Sequence, residues 1–355
     1  MKRLFFAAGV AICSIMCSAQ LKYYDASTLP LLGTLAPDAK LAYTRLPDSL
    51  ENVVRKELWD LGKNSAGLAV RFKSDSPTIG LKWKSRNKFN MSHMTAVGIR
   101  GLDLYALMPD STWRTVSAVK PSFHSHYSEQ KAVTDMTPGV MREYMVYLSL
   151  YDGVDSLYIG VDSSYVVLPP TVDLPKRDKP IVAYGTSILQ GGCASRPGMA
   201  HTNIMQRDLQ RDVVNLGFSG NARLDPEIAH FMSESDAGAF IIDPLPNCKT
   251  EAIDDKMDAF LDIIREKHPE TPIILVESPW FPIMEFSNEV KSTLKEKNEH
   301  LNAIYNRRSA VDNNLYYYPA DKIILNSENT VDNYHFTDQG FADFAHGLEK
   351  MLKNL

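Results

Sequence analysis

The segment IVAYGTSILQGG at 181–192 sets the strongest limit on what this chain can become. An apolar run too short for a helix empties into a turn of small residues, the pattern of a buried strand that delivers a loop from its carboxyl end. The same figure returns twice. DVVNL (212–216) leads into Gly217-Phe218-Ser219-Gly220-Asn221, and GAFII (238–242) into Asp243-Pro244-Leu245-Pro246-Asn247. Further strands are expected at 272–277 and 314–318, with helices between. Ile253, Met257, Phe260, Leu261 and Ile264 share one helix face, and Phe341, Phe344, Leu348 and Met351 share another. Alternating strands and helices predict a three-layer α/β/α domain on a mostly parallel sheet, with its ligand crevice at the strands' carboxyl ends.

The preceding half has a different rhythm. Short β-rich runs at 68–72, 78–84, 102–107, 144–150, 157–161 and 165–168, broken by turn residues, predict an N-terminal β-sandwich. Trp83 and Trp113 are expected in its core. Prolines between 169 and 180 separate the halves, since they cannot continue a central strand. The expected organisation is a leader over 1–19, a sandwich over 20–170, a linker over 171–180 and the α/β domain over 181–355.

The turn at 185–192 presents Ser187, and near the C-terminus stands Asp332-Asn333-Tyr334-His335. A nucleophilic serine needs a base within hydrogen-bond reach and a carboxylate to orient that base, and the three can lie far apart in sequence. A three-residue offset lets Asp332 reach one ring nitrogen of His335 while the other faces Ser187. Thr337 is the better cap for the following helix, which frees Asp332. Acyl transfer also needs donors for the oxygen that becomes negative. Gly220 could supply a backbone N–H and Asn247 a side-chain amide. A phosphate-cradling loop would need GxxxxGK[ST] or GxGxxG, and neither occurs at 185–192.

With Ser, Gly, Asn and Asp-x-x-His blocks in this order, the chain resembles the SGNH, or GDSL-type, hydrolases. Gly101-Leu102-Asp103-Leu104-Tyr105 matches the GxDLY signature of the domain that precedes one bacterial subgroup of them. The likeness extends through Arg45-Leu46-Pro47, the run 58–72, Leu150-Tyr151-Asp152-Gly153 and the run GGCASRPG at 191–198. It implies a catalytic triad of Ser187, His335 and Asp332, and an oxyanion hole of the Ser187 N–H, Gly220 and Asn247. Two departures stand out: Gly185-Thr186-Ser187 replaces Gly-Asp-Ser, and Pro246-Asn247-Cys248 replaces the usual Gly-x-Asn-Asp.

Residues 1–19 combine Lys2-Arg3, an apolar stretch and Ala19, the pattern of a cleavable secretory signal too short to span a bilayer. Cys17 raises a lipoprotein alternative, against which Met16 makes a poor lipobox. Losing Lys2 and Arg3 takes the formal charge from −5 to −7, a balance that argues against nucleic acid and anionic membranes as partners. Cys193 and Cys248 would remain after cleavage, either as a disulfide or as two unrelated buried thiols. His124 and His126 have a metal-like His-x-His spacing but no third ligand. His201, Arg196, Trp280 and Asp243 are weaker candidates for pocket residues, and sandwich loops near 101–105 or 124–127 are the places to look for contact of the first half with the crevice.

The expected protein is therefore a secreted or periplasmic serine esterase that needs no metal or organic cofactor. Its substrate would be a small-molecule or glycan ester with a short acyl group. An acyltransferase using the same acyl-enzyme and a catalytically silent glycan-binding protein are the alternatives.

Overall fold

The computed structural model describes residues 20–355; the expected leader and Cys17 lie outside the described residues. Among the described residues nine strands build the first half: β1 (Leu21–Asp25), β2 (Leu31–Leu32), β3 (Ala69–Ser74), β4 (Ile79–Ser85), β5 (Leu102–Leu107), β6 (Trp113–Val119), β7 (Tyr127–Val133), β8 (Arg142–Tyr147) and β9 (Val154–Asp162). They form two sheets, in the orders β1-β9-β4-β7 and β2-β3-β8-β5-β6, with antiparallel pairing throughout. Residues alternate across each strand, so Val70, Phe72, Leu81, Trp83, Leu104, Val146 and Ile159 meet between the sheets. Trp83 also donates its indole N–H to the Arg100 carbonyl at 3.1 Å.

Two details depart from expectation. The run at 165–168 contributes only a single bridge, Leu168 to Lys73, where a strand was expected. Strand β7, YSEQKAV, gives no apolar alternation because it closes one edge of its sheet and leaves most of its side chains partly or fully exposed.

Five parallel strands follow: β10 (Lys176–Gly185), β11 (Arg211–Gly217), β12 (Ala239–Asp243), β13 (Ile273–Val276) and β14 (Leu315–Tyr318), ordered β11-β10-β12-β13-β14. This is the doubly wound 2-1-3-4-5 order, with its switch point beside the first strand. One sheet face, with Tyr184, Leu216, Phe240 and Leu275, packs on helices Pro226–Ser233, Thr250–Lys267 and Asn288–Ser309. The other, with Ile181, Ala183, Val213 and Ile241, packs on His201–Asp208 and Asp338–Leu352. Strand β10 begins five residues before its apolar run. Pro180 is tolerated there because pairing with β11 is interrupted between Lys176 and Ile181.

The halves are joined through buried polar contacts. The outer face of the five-stranded sandwich sheet carries Ala69, Tyr105, Met145 and Tyr147, all buried. Helix His201–Asp208 covers it: Tyr147 donates to the Asn203 carbonyl at 3.1 Å, and the Arg207 guanidinium lies 4.3 Å from the Tyr105 ring centroid. Asp103 and Tyr105 of the GxDLY strand hold Arg196 at 2.5 and 2.6 Å, and Asp103 also accepts the Gly198 N–H at 2.9 Å. Arg45 is fully buried and donates to the carbonyls of Leu61, Asn64, Asn215 and Gly217. Burial without a carboxylate partner pushes its guanidinium down to about 9.

Candidate active site

Register places three strand ends in one row, with Gly185 on β10 opposite Gly217 on β11 and Asp243 on β12. Gly185 is needed for close approach, because a Cβ there would lie 2.8 Å from the Asp243 carbonyl oxygen. The chain then turns into a four-residue helix, Ser187–Gln190, capped by Thr186, whose hydroxyl accepts the Ile188 N–H at 3.3 Å. Gly191, at φ 104°, ends it. The Ser187 carbonyl collects donors from Gly191 (3.1 Å), Gly192 (2.8 Å) and the Tyr151 hydroxyl (3.1 Å). Its N–H, at the first helical position, has no protein acceptor among the described residues.

His335 comes from a tight loop closed by bridging of Thr330 to Phe336 and by the Val331 N–H on the His335 carbonyl at 2.7 Å. Phe336 is fully buried and anchors the loop, while Thr337 caps the last helix through the Gly340 N–H. Asp332 accepts three bonds: Oδ1 takes the N–H groups of Tyr334 (3.2 Å) and His335 (2.8 Å), and Oδ2 takes His335 Nδ1 (2.8 Å). Burial pushes the Asp332 carboxyl upward, but these contacts outweigh it and hold the group below the ordinary carboxylate value. The other ring nitrogen, Nε2, lies 2.9 Å from Ser187 Oγ. With Nδ1–H given to Asp332, Nε2 is the acceptor for the serine hydroxyl.

The second and third blocks close around the first. Gln190, fully buried, donates to the Leu150 carbonyl and accepts the Ser219 N–H at 3.0 Å, tying the sandwich side, the Ser187 helix and the Gly220 loop together. Gly220 adopts φ 69° at the turn tip. The Asn247 Oδ1 accepts the Ala222 N–H at 3.3 Å, which leaves its Nδ2 group as the free end. The Gly220 N–H and Asn247 Nδ2 have no protein acceptor among the described residues.

Beside this assembly lies a cavity of about 390 Å³ between the halves. Tyr151 and Ser219 form its inner wall; Leu61, Phe89, Met91, Asn64, Asn87 and Asn221 complete much of the rest. Asp152 organises the outer loop by accepting the N–H groups of Asn87 (2.9 Å) and Phe89 (3.0 Å). The first half thus reaches the crevice through residues near 57–64, 87–94 and 151, not through 101–105 or 124–127. Sequence reading passed over Asn87 and Phe89, which carry no motif; Gln190 stood in the segment 181–192 and Tyr151 in one of the matching runs, both without a role.

Comparison with known proteins settles the relationship. The family model of GDSL-like lipases and acylhydrolases matches residues 178–353, and that of the N-terminal region of SGNH-hydrolase-type esterases matches 21–167. A solved structure from Bacteroides ovatus ATCC 8483, described as a GDSL-like lipase, is 31% identical, covers 94% of this chain and 98% of its own, and superposes with a TM-score of 0.88. The chain belongs to the GDSL-like lipase and acylhydrolase family. A salicylyl-acyltransferase from a tetracycline biosynthetic pathway shares the fold at 17% identity, TM-score 0.74, covering 94% of this chain and 97% of that one. So does a family two carbohydrate esterase from Clostridium thermocellum in complex with cellohexaose, at 13% identity, TM-score 0.56, covering 81% and 92%. No curated protein matches by sequence.

In this GDSL-type hydrolase the remaining candidates have other places. Cys193 and Cys248 form no disulfide; each is a buried thiol directed at a different carbonyl, that of His93 and that of Ala222. His201 is fully buried against Phe341 and Phe344, with neither ring nitrogen bonded among the described residues. Arg196 serves the GxDLY strand. Trp280 lines a separate cavity with Pro282 and Leu325. Asp243 is buried, which raises its carboxyl well above the ordinary range. His126 bonds the Ser85 carbonyl at 2.9 Å through Nδ1.

Proposed function

We propose that this hydrolase is an exported serine esterase acting on short acyl esters of a glycan, with its sandwich and catalytic halves meeting in the stretch 171–180. The observation that carries the reading is His335 bonded through separate nitrogens to Ser187 and Asp332. In the mechanism His335 Nε2 takes the Ser187 proton as Oγ attacks the acyl carbonyl, and Asp332 stabilises the imidazolium that forms. The N–H groups of Ser187 and Gly220 and the Nδ2 of Asn247 receive the oxyanion. Collapse expels the alcohol, protonated by His335, and water then hydrolyses the acyl-enzyme by the same route. No residue in this scheme calls for a metal or an organic cofactor.

The glycan part of the reading rests on the adjacent cavity. Phe89, 45% exposed, offers a flat apolar face, and Asn64, Asn87 and Asn221 offer amides suited to hydroxyl groups. The carbohydrate esterase that shares the fold accords with it. Among the described residues no helix is long and apolar enough to cross a membrane.

Turnover of p-nitrophenyl acetate and of acetylated oligosaccharides by the wild type, with Ser187→Ala and His335→Ala beside it, tests the proposal. Hydrolysis is expected only in the wild type. Equal rates in all three would overturn the assignment, and transfer to an added sugar faster than release to water would make the protein a transferase.

A further inference from the structure

His93 stands on the sandwich loop beyond Met91, with its ring centroid 5.6 Å from that of His335. Cys193, two residues past Gly191, directs its thiol at the His93 carbonyl at 3.4 Å. One ligand atom from each of His93, Cys193, Asp332 and His335 can be chosen so that all four lie within 4.8 Å of one another. Two imidazoles, a thiol and a carboxylate are the donor set of a borderline-soft divalent cation; magnesium and calcium prefer oxygen alone.

We propose that these four residues form an inhibitory site for Zn²⁺ or a similar thiophilic cation, assembled across the two domains at the mouth of the catalytic crevice. A tetrahedral zinc site separates its ligand atoms by about 3.3 to 3.8 Å, given bonds of about 2.0 to 2.3 Å. A pair of donors at the 4.8 Å limit would close in by an ångström or a little more, a movement available to exposed His93 on its loop. Coordination replaces the Cys193 thiol proton, which passes to solvent, with a sulfur–metal bond.

Either nitrogen of His335 leads to the same result. Metal at Nδ1 takes the position of the His335 proton now donated to Asp332, and that proton moves to Nε2, whose lone pair is then no longer free for serine; metal at Nε2 displaces the Ser187 hydroxyl. In both cases the ring can no longer accept a proton from serine. Inhibition thus rests on the role of His335 proposed above, whereas binding does not.

Titration of zinc chloride into the Ser187→Ala protein, in a non-chelating buffer, tests binding apart from catalysis. One saturable site is expected, weakened at least about tenfold by Cys193→Ser and by His93→Ala added separately. A second group, Asp208, His346 and Glu349, could also hold a cation, so His346→Ala is expected to leave this site unchanged. Cobalt(II) in place of zinc should give a thiolate charge-transfer band that Cys193→Ser abolishes. In the wild type, zinc should reduce ester turnover with the same midpoint, EDTA should restore it, and magnesium should have no effect. Binding that is absent, that survives both Cys193→Ser and His93→Ala, or that is lost in His346→Ala overturns the proposal. Binding as expected with no loss of turnover would leave the site standing but refute its inhibitory role. If Cys193→Ser fails to fold, His93→Ala, on an exposed loop, still decides.

Discussion

At the residue scale the proposed catalytic set depends on which atoms have been left free. Asn247 has its amide oxygen occupied by the Ala222 N–H, so only its nitrogen end is available to a developing oxyanion. Asn247→Ala is therefore expected to lower kcat by about a hundredfold or more, with KM little changed and the fold retained, because the lost interaction is made mainly in the transition state. Steady-state kinetics with circular dichroism as the folding control checks this. Ser187 and His335 were legible in the sequence because a strand-turn and an Asp-x-x-His loop fix their local geometry almost alone. The grip on Asn247 was not, since the bond from Ala222 joins residues on two loops whose approach depends on strand register.

At the scale of elements, the pocket is shaped by a loop with no regular structure of its own. Asp152 accepts N–H groups from both Asn87 and Phe89 and so presents the Phe89 ring to the cavity. Asp152→Ala would leave those donors without their partner and release the loop. Its expected signature is a several-fold rise in KM for an acetylated oligosaccharide, with p-nitrophenyl acetate, too small to need the loop, much less affected. Phe89→Ala should show the same split with no loss of stability, which separates substrate contact from loop support; equal effects on both substrates would refute the glycan reading of the cavity. The core strands were predictable from their alternating apolar residues. The 87–94 loop was not, because its apolar residues follow no period, it carries no motif and it is held from a residue more than sixty positions away.

The GxDLY motif was visible as a signature, but not as a clamp. Its Asp103 is fully buried and serves both Arg196 and the Gly198 N–H, so Asp103→Ala removes a buried acceptor from two donors at once. Arg196 retains some solvent, which limits the cost, and a loss of about 2 to 4 kcal/mol is expected from urea unfolding. Burial raises the Asp103 carboxyl, while Arg196 opposes the shift. The partner lies more than ninety residues downstream, out of reach of any local pattern.

For the whole molecule, helix His201–Asp208 is the shared wall, packed on the sandwich through Asn203 and Arg207 and on the last helix through His201. Burial pushes the His201 imidazole down to about 3, so it stays neutral in the folded state at pH values where the unfolded chain binds a proton. Between about pH 3 and 6.5 the unfolded state therefore carries the extra proton, and this group makes stability rise with pH, by up to about 1.4 kcal/mol per unit. Asp212 works in the opposite sense. Burial raises its carboxyl to about 6, so between the ordinary carboxylate value and 6 the folded state holds the extra proton, and stability falls as pH rises. The two partly cancel, and a stability profile of the wild type alone would not reveal either. Comparison with His201→Leu removes only the histidine contribution. Whatever the substitution costs at pH 7, the difference between the two proteins should shift in favour of His201→Leu by more than 1 kcal/mol on going from about pH 6.5 to 4.5, as measured by urea unfolding at each pH. Parallel profiles would show that the His201 ring is protonated, or reached by water, in the folded protein, and that this shared wall is looser than its packing implies.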